Sequence, residues 1–310
     1  MNVSKVVVVL SILIAGLGLV AAGAGLFWPD MGSARTFTSI HGDTVQIYGR
    51  GLYANDSVFK SGATRGTDLV TALLAVPLLL VTLVLYRRGS TRGALLLTGA
   101  ITFFLYVYAT NAMSVAYNQL FLLYVALFSL SFFAWFLMFT AIQPLAAHFT
   151  RPLPFRGIAT FLLVCAVLTG YVWLEPIVTA LAGGTHPALL GNSTTMVTEA
   201  LDLALIVPGC IVAAALLWRR DRRGLIVAMP LLVLLLLIGP SIAAMTYFQV
   251  ADGIVFTLPQ IVGPIGVFLV VGLIDILVLA IVLRAVPTGR TSTGGEQNAV
   301  SQQSTTYQHA

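Results

Sequence analysis

Asp68-Leu-Val-Thr-Ala-Leu-Leu-Ala-Val-Pro77 opens an apolar run that closes on Tyr86-Arg87-Arg88, passes Arg92-Gly93 and enters a second apolar run. Asp202-Leu-Ala-Leu-Ile-Val-Pro208 does the same, closing on Trp218-Arg219-Arg220 before Arg223-Gly224 and another run. A helix of about 20 apolar residues crosses a hydrocarbon layer of about 30 Å, so each stretch reads as a transmembrane hairpin bent at an Arg-rich loop. Such loops gather on the cytoplasmic side. The Asp-to-first-Arg separations are 19 and 17 residues. On one reading the hairpins occupy matching places in two parallel four-helix repeats, related by an axis along the membrane normal. On the other, the likeness only reflects devices common to membrane hairpins, acids at helix starts and cations at cytoplasmic ends.

Working outward, eight apolar runs emerge, at about 6–28, 68–86, 93–112, 119–142, 157–178, 200–218, 224–247 and 261–284. The composition agrees. Hydrophobic residues make up 58% of the 310 and charged ones only 9%, against about 25% in soluble domains; the mean hydropathy is +0.97. The expected fold is an all-α membrane protein, an eight-helix bundle over residues 1–284. An outer loop at 29–67 follows the first helix, and a polar tail at 285–310, rich in Thr, Ser, Gln and Gly, is expected to be disordered and cytoplasmic. Within the loop, Thr36–Ile40 and Thr44–Tyr48 read as two short strands about a Gly-containing turn, a small cap. The net charge of +5 does not imply a nucleic-acid partner, because the cations sit in short loops between spans. With the N-terminus inside, twelve of the sixteen Lys and Arg face the cytoplasm and only Arg35, Arg50, Lys60 and Arg65 lie outside. Both termini are therefore expected in the cytoplasm. The first run also resembles a secretory signal peptide; its apolar stretch through Trp28 exceeds the usual 7–15 residues, which favours a retained helix.

Carboxylates point to candidate sites. Glu199 and Asp202, three residues apart, share one face at the outer start of the sixth run, and Asp68 begins the second in the equivalent place. With Glu175 from the fifth run they could form an outer access site for a cation or proton; the plain alternative is hydrated acids complementing helix dipoles. Asp275 lies well inside the last run, where a charge costs roughly 2.5–3.5 kcal/mol, so it should face the bundle interior. It suits either a transport or proton-relay role or a hydrogen bond tying helices together. Asn111, Tyr117 and Asn118 edge a tight outer turn and are expected to cap helix ends. No His falls in a span, which argues against a membrane haem, and His41, Asp43 and His186 lack the spacing of a metal site. Cys165 and Cys210 read as small packing residues, and neither a metal nor a cofactor is expected.

Tyr48-Gly-Arg-Gly-Leu-Tyr53, Tyr117-Asn-Gln-Leu-Phe-Leu-Leu-Tyr-Val-Ala-Leu-Phe-Ser-Leu-Ser131 and Leu201-Asp-Leu-Ala-Leu-Ile-Val-Pro208 resemble stretches of uncharacterised prokaryotic multi-pass membrane proteins. The resemblance implies a prokaryotic cytoplasmic (plasma) membrane and an eight-helix bundle, and carries no activity. The expected function is translocation of a small solute, cation or proton by a transporter or channel-like protein. A sensor or assembly factor acting through membrane protein partners is the alternative, and an enzyme acting on a lipid-linked substrate stands third. Depth separates them: a cavity crossing the membrane midplane favours translocation, and one confined to the outer half favours the others.

Overall fold

The computed structural model describes residues 3–149 and 151–286. Among them are eight helices long and apolar enough to cross a membrane: α1 (Lys5–Phe27), α2 (Val58–Arg87), α3 (Thr91–Ser114), α4 (Phe121–His148), α5 (Phe155–Ala182), α6 (Val197–Trp218), α7 (Arg223–Ala251) and α8 (Leu258–Arg284). This is compatible with a polytopic membrane protein. Around the perimeter, Val6, Val9, Leu122, Phe133, Leu273 and Leu277 are exposed, a belt of apolar surface far beyond what a soluble monomer shows. One end of the bundle, the arginine end, carries the α2–α3 and α6–α7 bends; the other, the hairpin end, carries the loops after α1, α3, α5 and α7.

Strands β1 (Arg35–Thr38) and β2 (Thr44–Ile47) form the expected antiparallel hairpin, with Arg35 opposite Ile47 and Thr38 opposite Thr44. Its turn is closed by Ser39, whose hydroxyl accepts from the His41 and Asp43 amides at 3.2 and 3.3 Å. Helix α2 starts at Val58, ten residues before its expected beginning at 68. Ser57 caps it, accepting from the Lys60 amide at 3.2 Å. Hydropathy missed these first turns because their polar residues face protein: Ser61, Thr64, Thr67 and Asp68 are buried.

Apolar attraction does not draw helices together inside lipid, so close packing of small residues must do it. Gly62 and Gly66 on α2 lie directly against Gln249 and Met245 on α7, and Gly99 on α3 lies against the Val233 side chain of α7. Gly239 of α7 meets Gly272 of α8. Helices α3 and α7 thus form the centre, where Leu95, Ile101, Phe103, Phe104, Leu225, Met229 and Val233 are fully buried. Helices α5 and α6 pack together, and α6 and α8 each pack on α7.

The two hairpins share local detail. Each outer helix contains a π turn, Thr71–Ala75 in α2 and Asp202–Ile206 in α6, with Pro77 and Pro208 six residues after its start. Each bend passes through a left-handed residue, Gly89 (φ 76°) or Arg220 (φ 58°). Ser90 and Asp221 then accept from the Gly93 and Arg223 amides. The π turns, the left-handed residues and the acceptors Ser90 and Asp221 all keep the spacing that separates Pro208 from Pro77, and that spacing sets Glu199 opposite Asp68. Asp202 falls opposite Thr71. Aligned on these marks the hairpins pair Asp68 with Glu199, about one helical turn from the expected pairing with Asp202, because that pairing matched the opening aspartates, whereas Arg92-Gly93 and Arg223-Gly224 keep the same spacing as the prolines.

At the arginine end, Ala285 and Val286 are buried, and the Arg92 guanidinium donates to the Val286 carbonyl at 2.6 and 2.9 Å. The remainder of the expected tail, 287–310, lies outside the described residues.

Candidate functional site

A cavity of about 490 Å³ opens at the hairpin end and reaches Ile238, near the middle of α7. Volumes of 300–1,000 Å³ are typical of small-molecule sites. Six helices wall it: α2 through Lys60 and Thr64, α3 through Tyr106 and Asn111, α5 through Val172 and Trp173, α6 through Glu199 and Asp202, α7 through Ile238, Ile242 and Gln249, and α8 through Phe268. Beside the cavity the backbones of α5 and α8 stand apart, and the space between them belongs to this cavity. In two of its walls the interruption of the helix itself lines the cavity, α6 at the π turn that begins with Asp202 and α8 at the π turn Ile261–Ile265 containing Pro264. Such turns free backbone groups and widen the helix.

Charge is distributed unevenly around this space. Asp202 is held by two neutral donors, the Tyr106 hydroxyl and the Trp173 indole N–H, each at 2.8 Å. Lys60 is committed elsewhere: its ammonium donates to the Ser114 carbonyl and to Ser193 Oγ, 3.2 Å away, and pairs with Asp56 at 3.6 Å. Asp56 also accepts from the Ala116 amide at 3.0 Å, and burial raises its pKa above the ordinary 3.8 despite the lysine. Glu199 faces the same space. Asn111 is 5% exposed, and its amide nitrogen is unpartnered.

A lid lies over the mouth. The loop between α5 and α6 contributes Leu189, Ser193 and Met196 to the lining and is tied to the cap, with His186 3.3 Å from Asp43 and the Asn192 amide donating to the Asn55 carbonyl at 3.1 Å. His41 packs against His186 with ring centres 4.7 Å apart. No cluster of three metal-ligating side chains occurs among the described residues.

Of the five carboxylates singled out from sequence, the structure unites Glu199 and Asp202 in this cavity. Asp68 is buried on the other side of α2, where it accepts from the Tyr53 hydroxyl at 2.5 Å beside Gly25. Glu175 is exposed on α5 and does not line the cavity. Asp275 is fully buried near Cys165 and Cys210, with neither oxygen hydrogen-bonded. It lies seven residues beyond Phe268 along α8, about 10 Å further toward the arginine end. Asn111 does not cap α3, which continues to Ser114, and Asn118 closes a turn just before α4 by accepting from the Leu120 amide at 2.9 Å, without capping the helix itself. Lys60, Tyr106 and Trp173 were not anticipated. The spacing Asp56-Ser57-Val-Phe-Lys60, an N-cap inside an i,i+4 ion pair, is the signal that marks the first of them. No family model, curated protein or solved structure matches the chain.

Proposed function

We propose that the protein carries a small solute across a prokaryotic cytoplasmic membrane, and that this arrangement is open toward the hairpin end, which the arginine distribution puts outside. One observation carries the reading: a cavity of about 490 Å³ runs from the hairpin-end loops to mid-helix, with ionisable side chains and two interrupted helices in its wall. Transporter sites commonly lie near the bilayer midplane among interrupted helices. Toward the arginine end, Cys165, Leu235 and Val271 pack with Phe161, Leu168 and Val267 and form the closed gate. The two π-turn hairpins, taken as copies of one unit, supply the elements that rock against each other. Because the cavity stops near mid-helix and its lid is tied to the cap, a receptor or enzyme working only from the outer side is the second reading.

Cysteine reactivity separates the two. In a variant with Cys165 and Cys210 replaced by Ala, Thr110→Cys in the cavity wall should react with a membrane-impermeant maleimide from outside. A carrier must also visit a state in which Val271→Cys, now buried, reacts from the cytoplasmic side. If Val271→Cys stays inert in inverted vesicles under every condition while Thr110→Cys reacts, the protein works from one side only.

A further inference from the structure

The lining side chains specify a kind of solute. Counting Asp56, which holds Lys60, one cation faces three carboxylates around the cavity mouth, and the cation is already bonded to Ser114, Ser193 and Asp56. The excess negative charge belongs to Glu199 and Asp202. Complementing a helix dipole accounts for acids in the first turns of α6, but not for both facing an enclosed space. Asp202 keeps a free lone pair on each oxygen after accepting from Tyr106 and Trp173, so it can still face a cation, and its two donors hold it in place. Tyr106, Trp173, Phe256 and Phe268 add aromatic rings to the wall, and Ile238, Ile242 and Ile265 make its deep end apolar. Asn111, buried with its amide nitrogen unpartnered, offers the hydrogen bond that an occupant would complete.

We infer that the cavity accepts an amphiphilic organic cation, its ammonium or similar head between Glu199 and Asp202 and its apolar body against the α7 and α8 wall. A carboxylate opposite a charged head supplies the Coulombic attraction, and aromatic faces favour a weakly hydrated cation over a small inorganic one. The inference rests on the cavity being a ligand site, as proposed above.

The full chain in lipid nanodiscs, with empty nanodiscs as background, should bind radiolabelled tetraphenylphosphonium saturably. Tetraphenylborate, of the same shape and opposite charge, should not displace it. Glu199→Gln and Asp202→Asn should each weaken binding by about tenfold or more, with melting temperatures confirming that both fold, while Glu175→Gln leaves binding unchanged. Tight binding of tetraphenylborate, abolished by Lys60→Met, would overturn the inference and make this an anion site. If tetraphenylphosphonium does not bind but Val271→Cys still becomes reactive from the cytoplasmic side, the cation assignment falls and the carrier reading stands. If tetraphenylphosphonium binds and Val271→Cys never reacts, the carrier reading falls and the cation site stands.

Discussion

Asp68 and Asp275 are both buried carboxyl groups, and their surroundings give them different expected responses to substitution. Asp68 has Tyr53 as its hydrogen-bond donor, and Gly25 leaves room for the pair; a side chain at position 25 would collide with both groups. Tyr53→Phe should therefore lower stability by about 1–3 kcal/mol, read as a fall in the unfolding midpoint. Among the described residues Asp275 has no hydrogen-bond partner, so the idea that it ties helices together has no bond there to rest on. Asp275→Asn should leave folded yield and melting temperature essentially unchanged, and if a cation or proton passes the closed gate it should abolish solute uptake. Asp56 carries a pH signature outside the membrane. Its folded pKa is raised by burial, so its favourable contribution is complete below the ordinary 3.8 and is lost as pH rises through the raised value. Across that window the wild-type melting temperature should fall, and the fall should shrink in Asp56→Asn. Sequence pointed to Asp275 correctly because a lone charge in an apolar run is conspicuous. It gave no sign of which face Glu175 or Asp68 occupies, since one residue's step around a helix decides between cavity, core and lipid.

At the level of the helix, hydropathy located all eight spans and misplaced the start of α2. Runs of Val and Leu announce a lipid-facing helix, whereas Val58–Val70 reads as a loop because it is polar, its polar residues being buried against protein and not facing lipid. Its helical signals are the Ser57 cap and the Gly62/Gly66 pair at a spacing of four, which places both glycines on one face. Gly66→Val should separate α2 from α7, because the added atoms would meet the Met245 backbone rather than a movable side-chain tip. The expected result is loss of the monodisperse folded species by size-exclusion chromatography, with Gly16→Val, at a position with open space, as the tolerated control. The three π turns could not be foreseen from composition, although Pro77, Pro208 and Pro264 marked their neighbourhoods. A missing amide proton says that the helix must adjust, but not whether it kinks or widens.

The whole molecule places every arginine-rich bend at one end and the hairpin, lid and cavity mouth at the other. Reporters inserted after residues 90, 152 and 221 should all register cytoplasm, and one inserted after 117 should register the exterior; a single reversal would invert the assignment of the cavity mouth. The general architecture was legible because the bilayer imposes it on composition, whereas the cavity was not, being the space left between α5 and α8 at the hairpin end, beyond the cluster in which their side chains pack. The Arg92 clasp on Val286 fastens the end of α8 to the first turn of α3. Since α8 walls the cavity and α3 stands at the bundle centre, the clasp acts as a tether between a movable wall and a fixed post. A fluorophore attached just past Val286 would then act as a lever, its distance from a second dye on the α2–α3 bend reporting the swing of α8 while the cavity itself stays unlabelled.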